Sequence, residues 1–225
     1  MTLHILDDLE QGTPEWHDAR RGIVTASVVG KLITPTLKVA DNDTSRGVTA
    51  TLVAERISGF TEETAMTSDM FRGVESEPVA RDLYSRHHAP AEEVGFMVRD
   101  DWGYPIGYSP DGLVGDDGLI EIKAPRAKAH LLTILADKVP AFYMAQLQTG
   151  LLVSGRKWID YVSYCGGLPL YVKRVHPDLD WHRAIVAAVA NFELAANEMT
   201  ANYEAAIAGL PATDRIDFND LGLVF

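Results

Sequence analysis

The sequence of 225 residues contains a single cysteine, no long apolar segment and few basic side chains relative to acidic ones. The lone Cys165 excludes an internal disulfide and fits a reducing compartment. No stretch approaches the roughly 18 apolar residues of a membrane-spanning helix, and the acidic start lacks the basic and apolar regions of a signal peptide. These absences predict a soluble, cytoplasmic protein without a membrane partner.

Positive charge is scarce, since 20 Lys and Arg stand against 32 Asp and Glu and the net charge is −12. Affinity for nucleic acids depends on cations that neutralise phosphates, so such a chain cannot coat DNA non-specifically. It can bind DNA only where its cations are concentrated in one channel, because the local field matters more than net charge. The basic groups that cluster in sequence are Arg20–Arg21, Lys123 with Arg126 and Lys128, Arg156–Lys157 and Lys173–Arg174.

Composition and length fit one globular domain over residues 1–225, with the tail after about residue 210 left unassigned. Periodicity and caps predict helices at 14–21, from Thr25 or Ser27 to Ile33, and at 46–58, 77–88, 127–137, 140–153 and 178–208. Strands are predicted at 94–98, 104–108, 119–123, 158–164 and 170–175. This order predicts an α/β fold with a mixed central sheet flanked by helices.

The segment SPDGLVGDDGLIEIKAP, residues 109–125, carries the candidate chemistry. Asp111 ends one predicted strand, while Glu121 and Lys123 lie two apart on the next and therefore share a face. Neighbouring strands are about 4.8 Å apart, so both carboxylates could reach one hard cation beside the lysine. Phosphodiester hydrolysis uses such a set: the acids hold Mg²⁺, and a lysine of depressed pKa orients or deprotonates the attacking water. The alternative is a charged pair on an exposed strand face.

Five motifs in order resemble the phage lambda exonuclease family, the YqaJ-type viral recombinases, over residues 11 to about 175. They are QGTPEWHDARRGIVTAS, RGVESEPVARDLY, SPDG, GLIEIKAP and YMAQLQTGLLVSG. The resemblance implies a restriction-endonuclease-like PD-(D/E)xK core. It also implies a Mg²⁺-dependent exonuclease, with two ions for which Mn²⁺ can substitute, that digests double-stranded DNA from the 5′ end and leaves a 3′ tail for recombination.

Position by position, the resemblance implies that Asp111 and Glu121 are metal ligands and Lys123 is the catalytic lysine. The main-chain carbonyl of Ile122 would be a further ligand. Glu77 would supply an acid that holds a second metal ion or its waters. Since a proline follows Glu77, a plain first-turn helix acid is the alternative for that residue.

The resemblance also implies a pocket for the 5′-phosphate of a DNA end, formed by Arg20, Ser27 and Ser109. A guanidinium and two hydroxyls suit a phosphate dianion. Gln146 would contact the active site or the terminal phosphate. Ser27 has a helix cap as its alternative reading. Spacing and the family pattern favour Arg20 over its neighbour Arg21 and Gln146 over Gln148, and Trp16 is expected to pack in the core beside Arg20.

Other polar residues receive weaker interpretations. Tyr143 either lines the site or packs, and Lys38 or Arg46 could serve as DNA-gripping cations although residues 34–45 differ from the family's loop. Asp116 and Asp117 are interpreted as solvated turn residues. The adjacent histidines at 87–88 are interpreted as surface groups, and Cys165 has no catalytic pattern around it.

The partners implied by the resemblance are double-stranded DNA ends and a single-strand-annealing protein encoded nearby on a phage or prophage. A homo-oligomer, by analogy a trimeric ring, is also expected. Two rival functions stay open. One is another PD-(D/E)xK nuclease, either an endonuclease or a single-strand or flap nuclease, and the other is a non-catalytic DNA-end-binding module.

Overall fold

A computed structural model describes residues 2–62 and 66–215 of the chain. Within these ranges there are eight strands: β1 (Leu3–Leu6), β2 (Val24–Thr25), β3 (Phe96–Arg99), β4 (Ile106–Tyr108), β5 (Gly112–Val114), β6 (Gly118–Lys123), β7 (Trp158–Ser163) and β8 (Tyr171–Val175). The α-helices there are α1 (Pro14–Arg20), α2 (Ala26–Val29), α3 (Asp43–Ser58), α4 (Ser68–His87), α5 (Ala127–Ala136), α6 (Met144–Ser154) and α7 (Leu179–Ala206). Short 3₁₀ helices cover Gly30–Leu32 and Ala141–Tyr143.

The strands form two mixed four-stranded sheets, ordered β1-β3-β4-β2 and β5-β6-β7-β8. Each sheet has one parallel pair, β2 with β4 and β6 with β7, and its other pairs are antiparallel. The predicted α/β class with flanking helices is confirmed, but the single predicted sheet is divided between β4 and β5. Pro110 lies at this division and has no N–H to donate to a ladder. Asp111 therefore lies where the chain passes from one sheet to the other.

Helix α6 packs across both sheets and helps to bury the larger of two cores. That core joins α2, α3, α6 and α7 to the strands, and its fully buried members include Ile106, Leu147 and Phe192. A smaller core lies beneath α4, where Tyr84 and Ala80 pack on the apolar side chains of β5, β6 and β7. The second sheet is therefore covered on both faces.

The two cores fix the register of β6. Ile120 and Ile122 face α4, whereas Leu119 belongs to the larger core on the other face. Burial of each isoleucine contributes about 1.5–3 kcal/mol, and a slip by one residue would exchange the faces. The alternation therefore holds Glu121 and Lys123 on the α6 side of the sheet.

Two helices begin earlier than the sequence predicts. Helix α4 starts at Ser68 with Thr67 as its cap, so the predicted start near Glu77 is wrong and Pro78 lies inside the helix. Proline is most frequent in a first turn, which explains the error. Helix α3 starts at Asp43 instead of 46 because Asn42 and Ser45 exchange hydrogen bonds in a capping box.

None of the helices in the described part of the chain combines the length and the apolar character that crossing a membrane requires. The single domain over residues 1–225 stays a prediction. The last part of the unassigned tail, from residue 216 onwards, lies outside the described residues.

Candidate active site

Strand β6 carries the candidate catalytic pair on one face. Glu121 is only 1% exposed, and its Oε1 accepts a hydrogen bond of 2.7 Å from Nζ of Lys123. The lysine side chain is 22% exposed and borders the cleft. The alternative of a charged pair on an exposed strand face is therefore wrong, because this face of the strand is covered by α6 and β4.

Asp111 is held from two directions. Its Oδ2 accepts a hydrogen bond of 2.6 Å from the main-chain N–H of Ile122, and its own carbonyl accepts one of 2.7 Å from Nε of Arg81. The N–H and C=O of one strand residue point to the same side. The Ile122 carbonyl therefore faces Asp111, as its predicted part in a ligand set requires.

Glu77 lies on α4 one turn before Arg81, whose Nη2 donates to Glu77 Oε1 at 2.5 Å. Because α4 begins at Ser68, the reading of Glu77 as a first-turn acid is wrong. Burial raises the pKa of the Glu77 carboxyl, although the positive charge of Arg81 acts to lower that pKa. Arg81 also pairs with Glu93, and its hydrogen bond to the Asp111 carbonyl joins the acid of α4 to the Asp111 segment.

Three further side chains settle which residues surround Glu121. Gln146 on α6 donates from Nε2 to Glu121 Oε1 at 2.5 Å, and Tyr108 on β4 donates to Oε2 at 3.0 Å. Gln148 is fully buried elsewhere, where its amide bonds to the His176 carbonyl. The structure therefore brings Gln146 to the site and not Gln148. Sequence reasoning missed Tyr108.

The charges at this centre oppose one another. Burial raises the pKa of Asp111 well above its usual range, and the neighbouring Glu121 raises it further. Burial works to lower the pKa of Lys123, but Glu121 and Asp111 outweigh it and the pKa is raised. The acids that surround the amine account for this direction, and the depressed lysine pKa expected beside bound metal ions stays a prediction.

The donor set fits Mg²⁺. Asp111 and Glu121 present hard carboxylate oxygens, the Ile122 carbonyl faces the first of them, and a cation between the acids would relieve their repulsion. Across the described residues, no three His, Cys, Asp or Glu side chains converge as a ready-made metal cage. This is compatible with Mg²⁺, which is usually held by one or two carboxylates and completes its coordination with water and substrate phosphate.

A second polar group centres on Arg20. Its Nη2 donates to Ser27 Oγ at 3.3 Å and its Nη1 to Ser109 Oγ at 3.5 Å, while the guanidinium stacks 3.7 Å from the Trp16 ring. Trp16 Nε1 also donates to Ser109 Oγ at 3.0 Å. Burial lowers the pKa of Arg20 to about 10. Trp16 is thus part of the pocket, which corrects its expected place in the core.

The contacts of Arg21 and Ser27 decide between the predicted pocket residues and the alternatives to them. Arg21 pairs with Asp18 and not with the serines. The cap of α2 is Thr25, so the reading of Ser27 as a helix cap is wrong, and its hydroxyl lies 3.0 Å from Thr25 Oγ1. The spacing from Trp16 therefore selects the arginine that the structure places beside the hydroxyls.

One cleft of about 710 Å³ contains both groups. It is lined by all nine predicted site residues: Arg20, Ser27, Glu77, Ser109, Asp111, Glu121, Ile122, Lys123 and Gln146. Tyr143 also lines it, with its ring centre 5.6 Å from the lysine Nζ. The acidic centre and the arginine pocket therefore face the same space.

Other candidate residues lie elsewhere. Arg46 pairs with Asp41 and Asp43 and lines a separate cavity of about 630 Å³. In the turn before β6, Asp117 pairs with Lys157 on the surface. Neither the suggested gripping arginine nor this turn acid contributes to the cleft.

The fold, with its paired carboxylates and lysine, defines a nuclease of the PD-(D/E)xK class. The sequence model of the YqaJ-like viral recombinase domain matches residues 15–157, and the chain belongs to this exonuclease and viral recombinase family. The family resemblance seen in the five motifs is thus confirmed.

Solved structures agree with this assignment. The alkaline exonuclease LHK-Exo from Laribacter hongkongensis is 33% identical over 86% of this chain and 100% of its own, with a TM-score of 0.73. Its complex with dAMP gives the same identity and coverage and a TM-score of 0.74. A phage-related exonuclease from Haemophilus somnus 129PT shares the fold, at 15% identity over 79% of this chain and 96% of its own, with a TM-score of 0.59. No curated protein sequence gave a significant match.

Proposed function

We propose that the protein is a Mg²⁺-dependent exonuclease that degrades one strand of double-stranded DNA from its 5′ end and leaves a 3′ single-stranded tail. One observation carries the proposal: the carboxylate–lysine centre and the Arg20 pocket open into the same cleft. A strand whose terminal phosphate lies in the pocket would have a phosphodiester next to the acids. This arrangement supports hydrolysis close to a phosphorylated end.

Asp111, Glu121 and the Ile122 carbonyl would hold the metal, and Glu77 would hold a second ion or its waters. When bound, such ions polarise a phosphate and lower the pKa of the attacking water, a role that Mn²⁺ also fits. Lys123 Nζ lies beside Glu121 at this centre, where it can donate a hydrogen bond to that water or to a phosphate oxygen. Gln146 and Tyr108 fix the orientation of Glu121 by donating to its two oxygens.

The 5′ polarity is supported by the chemistry of the second pocket. Arg20 presents two N–H groups towards the hydroxyls of Ser27 and Ser109, and this set suits a terminal phosphate with its extra negative charge. LHK-Exo binds dAMP, a nucleoside monophosphate. We infer that the phosphate pocket of this chain takes the 5′-phosphate of the strand to be cut.

The decisive experiment is cleavage of linear duplexes that carry either 5′-phosphate or 5′-hydroxyl ends, with Mg²⁺ and with EDTA. The wild-type protein should degrade only 5′-phosphorylated strands, and only with Mg²⁺. Lys123→Ala should lower the rate by about 10²–10⁴-fold. Arg20→Gln should remove the preference for phosphorylated ends, whereas Arg21→Gln, whose side chain pairs with Asp18, serves as the matched control.

Other outcomes would select the rivals. Equal cutting of both end types, with dependence on Lys123 retained, would keep the nuclease and remove the 5′ polarity. Cutting of closed circles would favour an endonuclease. Cutting of flaps or single strands would favour a flap or single-strand nuclease. Metal-independent binding without any cutting would favour the end-binding module.

For partners, we propose double-stranded DNA ends, a single-strand-annealing protein and further copies of the same chain, in the cytoplasm of a host that carries the phage or prophage. Exposed apolar side chains after β6, namely Leu131, Leu132, Leu135 and Phe142, support association with other proteins. The family resemblance suggests a trimeric ring. Light scattering would give about three times the chain mass of 24.7 kDa for a trimer.

A further inference from the structure

Two arginines at the edge of the cleft share one carboxylate oxygen. Asp69 Oδ1 accepts a hydrogen bond of 2.9 Å from Arg72 Nη1 and bonds of 3.1 and 2.9 Å from Nε and Nη2 of Arg126. Asp69 and Arg72 lie in the first turns of α4, and Arg126 is the cap of α5. All three residues, here called the rim cluster, line the same cleft as the acids.

The rim cluster has the opposite charge to the interior of the cleft. Deeper in the cleft lie three carboxyls, Glu77, Asp111 and Glu121. Lys123 opposes them there, Arg81 pairs with Glu77, and the Arg20 pocket is separate. The rim cluster combines two guanidinium groups with one carboxylate and is net positive. In a chain of net charge −12, these cations are among the few that can face a phosphate near the catalytic centre.

The geometry of the cluster suits an anionic oxygen. Arg72 is anchored by a hydrogen bond of 3.1 Å from its Nε to the carbonyl of Ala124, the residue after Lys123. Its Nη1 and the fork of Arg126 then point to one position, which Asp69 Oδ1 fills. A phosphate oxygen accepts N–H groups from guanidinium in the same way.

Exchange of this carboxylate for a phosphate would cost little. The side chains of Arg126 and Asp69 are 71% and 57% exposed. Exposed ion pairs contribute little to stability, so a phosphodiester can compete with Asp69 for these arginines. Hydrogen bonds from Arg126 and then Arg72 lower the pKa of Asp69, which keeps it charged and able to hold both arginines in place.

We propose that Arg72 and Arg126 bind a backbone phosphate of the DNA that enters the cleft, and that Asp69 occupies this phosphate position in the free protein. The proposal rests on the proposed nuclease function and adds a second anchoring point besides the Arg20 pocket. The simpler reading is a surface staple that only ties α4 to the start of α5. The two readings predict different effects on DNA binding when the negative charge of Asp69 is removed.

The test measures binding of a 3′-labelled, 5′-phosphorylated duplex by fluorescence anisotropy over a series of salt concentrations, in EDTA to prevent cleavage. The variants are Arg126→Gln and Asp69→Asn. Matched controls are Arg183→Gln and Asp180→Asn, because Arg183 and Asp180 form a similarly exposed ion pair on α7, outside the cleft. Thermal unfolding of each variant reports any loss of structure.

A phosphate site predicts opposite effects for the two rim variants. Arg126→Gln should weaken binding severalfold and reduce the slope of log K against log salt by about 0.7–0.9, the loss of one phosphate contact. Asp69→Asn should strengthen binding severalfold because it frees both arginines. Both controls should leave affinity and slope unchanged.

The proposal is overturned if Asp69→Asn weakens binding, or if both rim variants leave the salt slope unchanged whether or not their Tm falls. Those results would leave the cluster as a staple while the nuclease proposal stands. A wild-type protein that binds no DNA would overturn the nuclease proposal and this one together. Arg126→Lys separates charge from geometry: it should keep the slope but bind less tightly than the wild type, since lysine lacks the two-pronged fork.

Discussion

Among the single residues of the site, Asp111 is held through both its side chain and its main chain. Its carboxylate and its carbonyl are both hydrogen bonded, and burial raises the pKa of its carboxyl in the presence of Glu121. Negative charge at the point where a cation would bind is therefore unfavourable in the free protein. Removing that charge should cost catalysis but not folding.

Asp111→Asn should unfold in EDTA at the same Tm as the wild type or a higher one. Mg²⁺ at 100 times its Kd stabilises a protein by about 2.7 kcal/mol. For a chain of this size this corresponds to a rise in Tm of roughly 5–10 °C, which the variant should lack. Differential scanning fluorimetry with and without Mg²⁺ measures both effects. Asp117→Asn, in the exposed turn, is the control and should keep the full rise; the same rise in Asp111→Asn would exclude this residue as a ligand.

Trp16 supports the guanidinium of Arg20 and donates to Ser109, so its loss should act on end recognition. Trp16→Phe keeps a ring under the arginine and removes one hydrogen bond, which should lower the 5′-phosphate preference about fivefold. Trp16→Leu should lower it further. The measurement is the ratio of kcat/KM for phosphorylated and hydroxyl ends. Trp158→Phe, which stacks on Arg174 outside the cleft, should leave this ratio unchanged.

Among the elements, helix α4 connects the site to the second sheet. Its buried Tyr84 donates a hydrogen bond of 2.7 Å to Asp160 on β7, and Arg174 donates to both oxygens of that carboxylate. Glu77 and Arg81 follow the same face of α4 towards the cleft. The position of these two residues therefore depends on a buried contact well away from the cleft.

Tyr84→Phe should lower the stability by about 1.5–3 kcal/mol, the usual value for a hydrogen bond to a charged group. The ring keeps its packing, so the loss measures the Tyr84–Asp160 bond. Tyr171→Phe is the control, because Tyr171 donates to the exposed Asp137, and it should change stability by less than about 0.5 kcal/mol. Urea unfolding compares the two variants. Equal effects would mean that the buried bond does not secure α4.

Local patterns in the sequence predict most elements, since caps and apolar periodicity depend on neighbours in the chain. The start of α4 was wrong because Pro78 is typical of a first turn, although here it lies inside the helix. Strands β1, β2 and β5 were not predicted. They are two to four residues long, and the partners that define them lie far away in sequence, as β1 shows by pairing with β3.

The site residues that share one short motif were predicted from the sequence. Glu121 and Lys123, for example, lie two apart on one strand and therefore on one face. Arg81, Tyr108 and Trp16 were missed or placed in the core because their contacts join distant segments. The motif with Glu77 did contain Arg81, but no local pattern shows that its guanidinium reaches the Asp111 carbonyl 30 positions away. Tertiary contacts of this kind are not visible in periodicity.

For the protein as a unit, the negative charge should restrict where DNA can bind. The chain as a whole has a net charge of −12, so its surface outside the cleft should repel phosphates. Only DNA that presents an end to the cleft should then bind well. In EDTA, linear duplex should therefore displace a labelled duplex from the protein at a molar concentration about tenfold lower than closed circular plasmid of the same length. A competition assay with labelled duplex measures this. Equal competition would indicate binding along the duplex rather than at its ends.

Glu121 receives hydrogen bonds from Tyr108 of the first sheet, Lys123 of the second and Gln146 of helix α6. Its surroundings therefore exist only after both sheets and the helix across them have come together. Asp111 lies at the junction between the same sheets. A nascent chain in which only the second sheet has formed would hold the acids without the Tyr108 bond to Glu121, so the complete centre is a late product of folding.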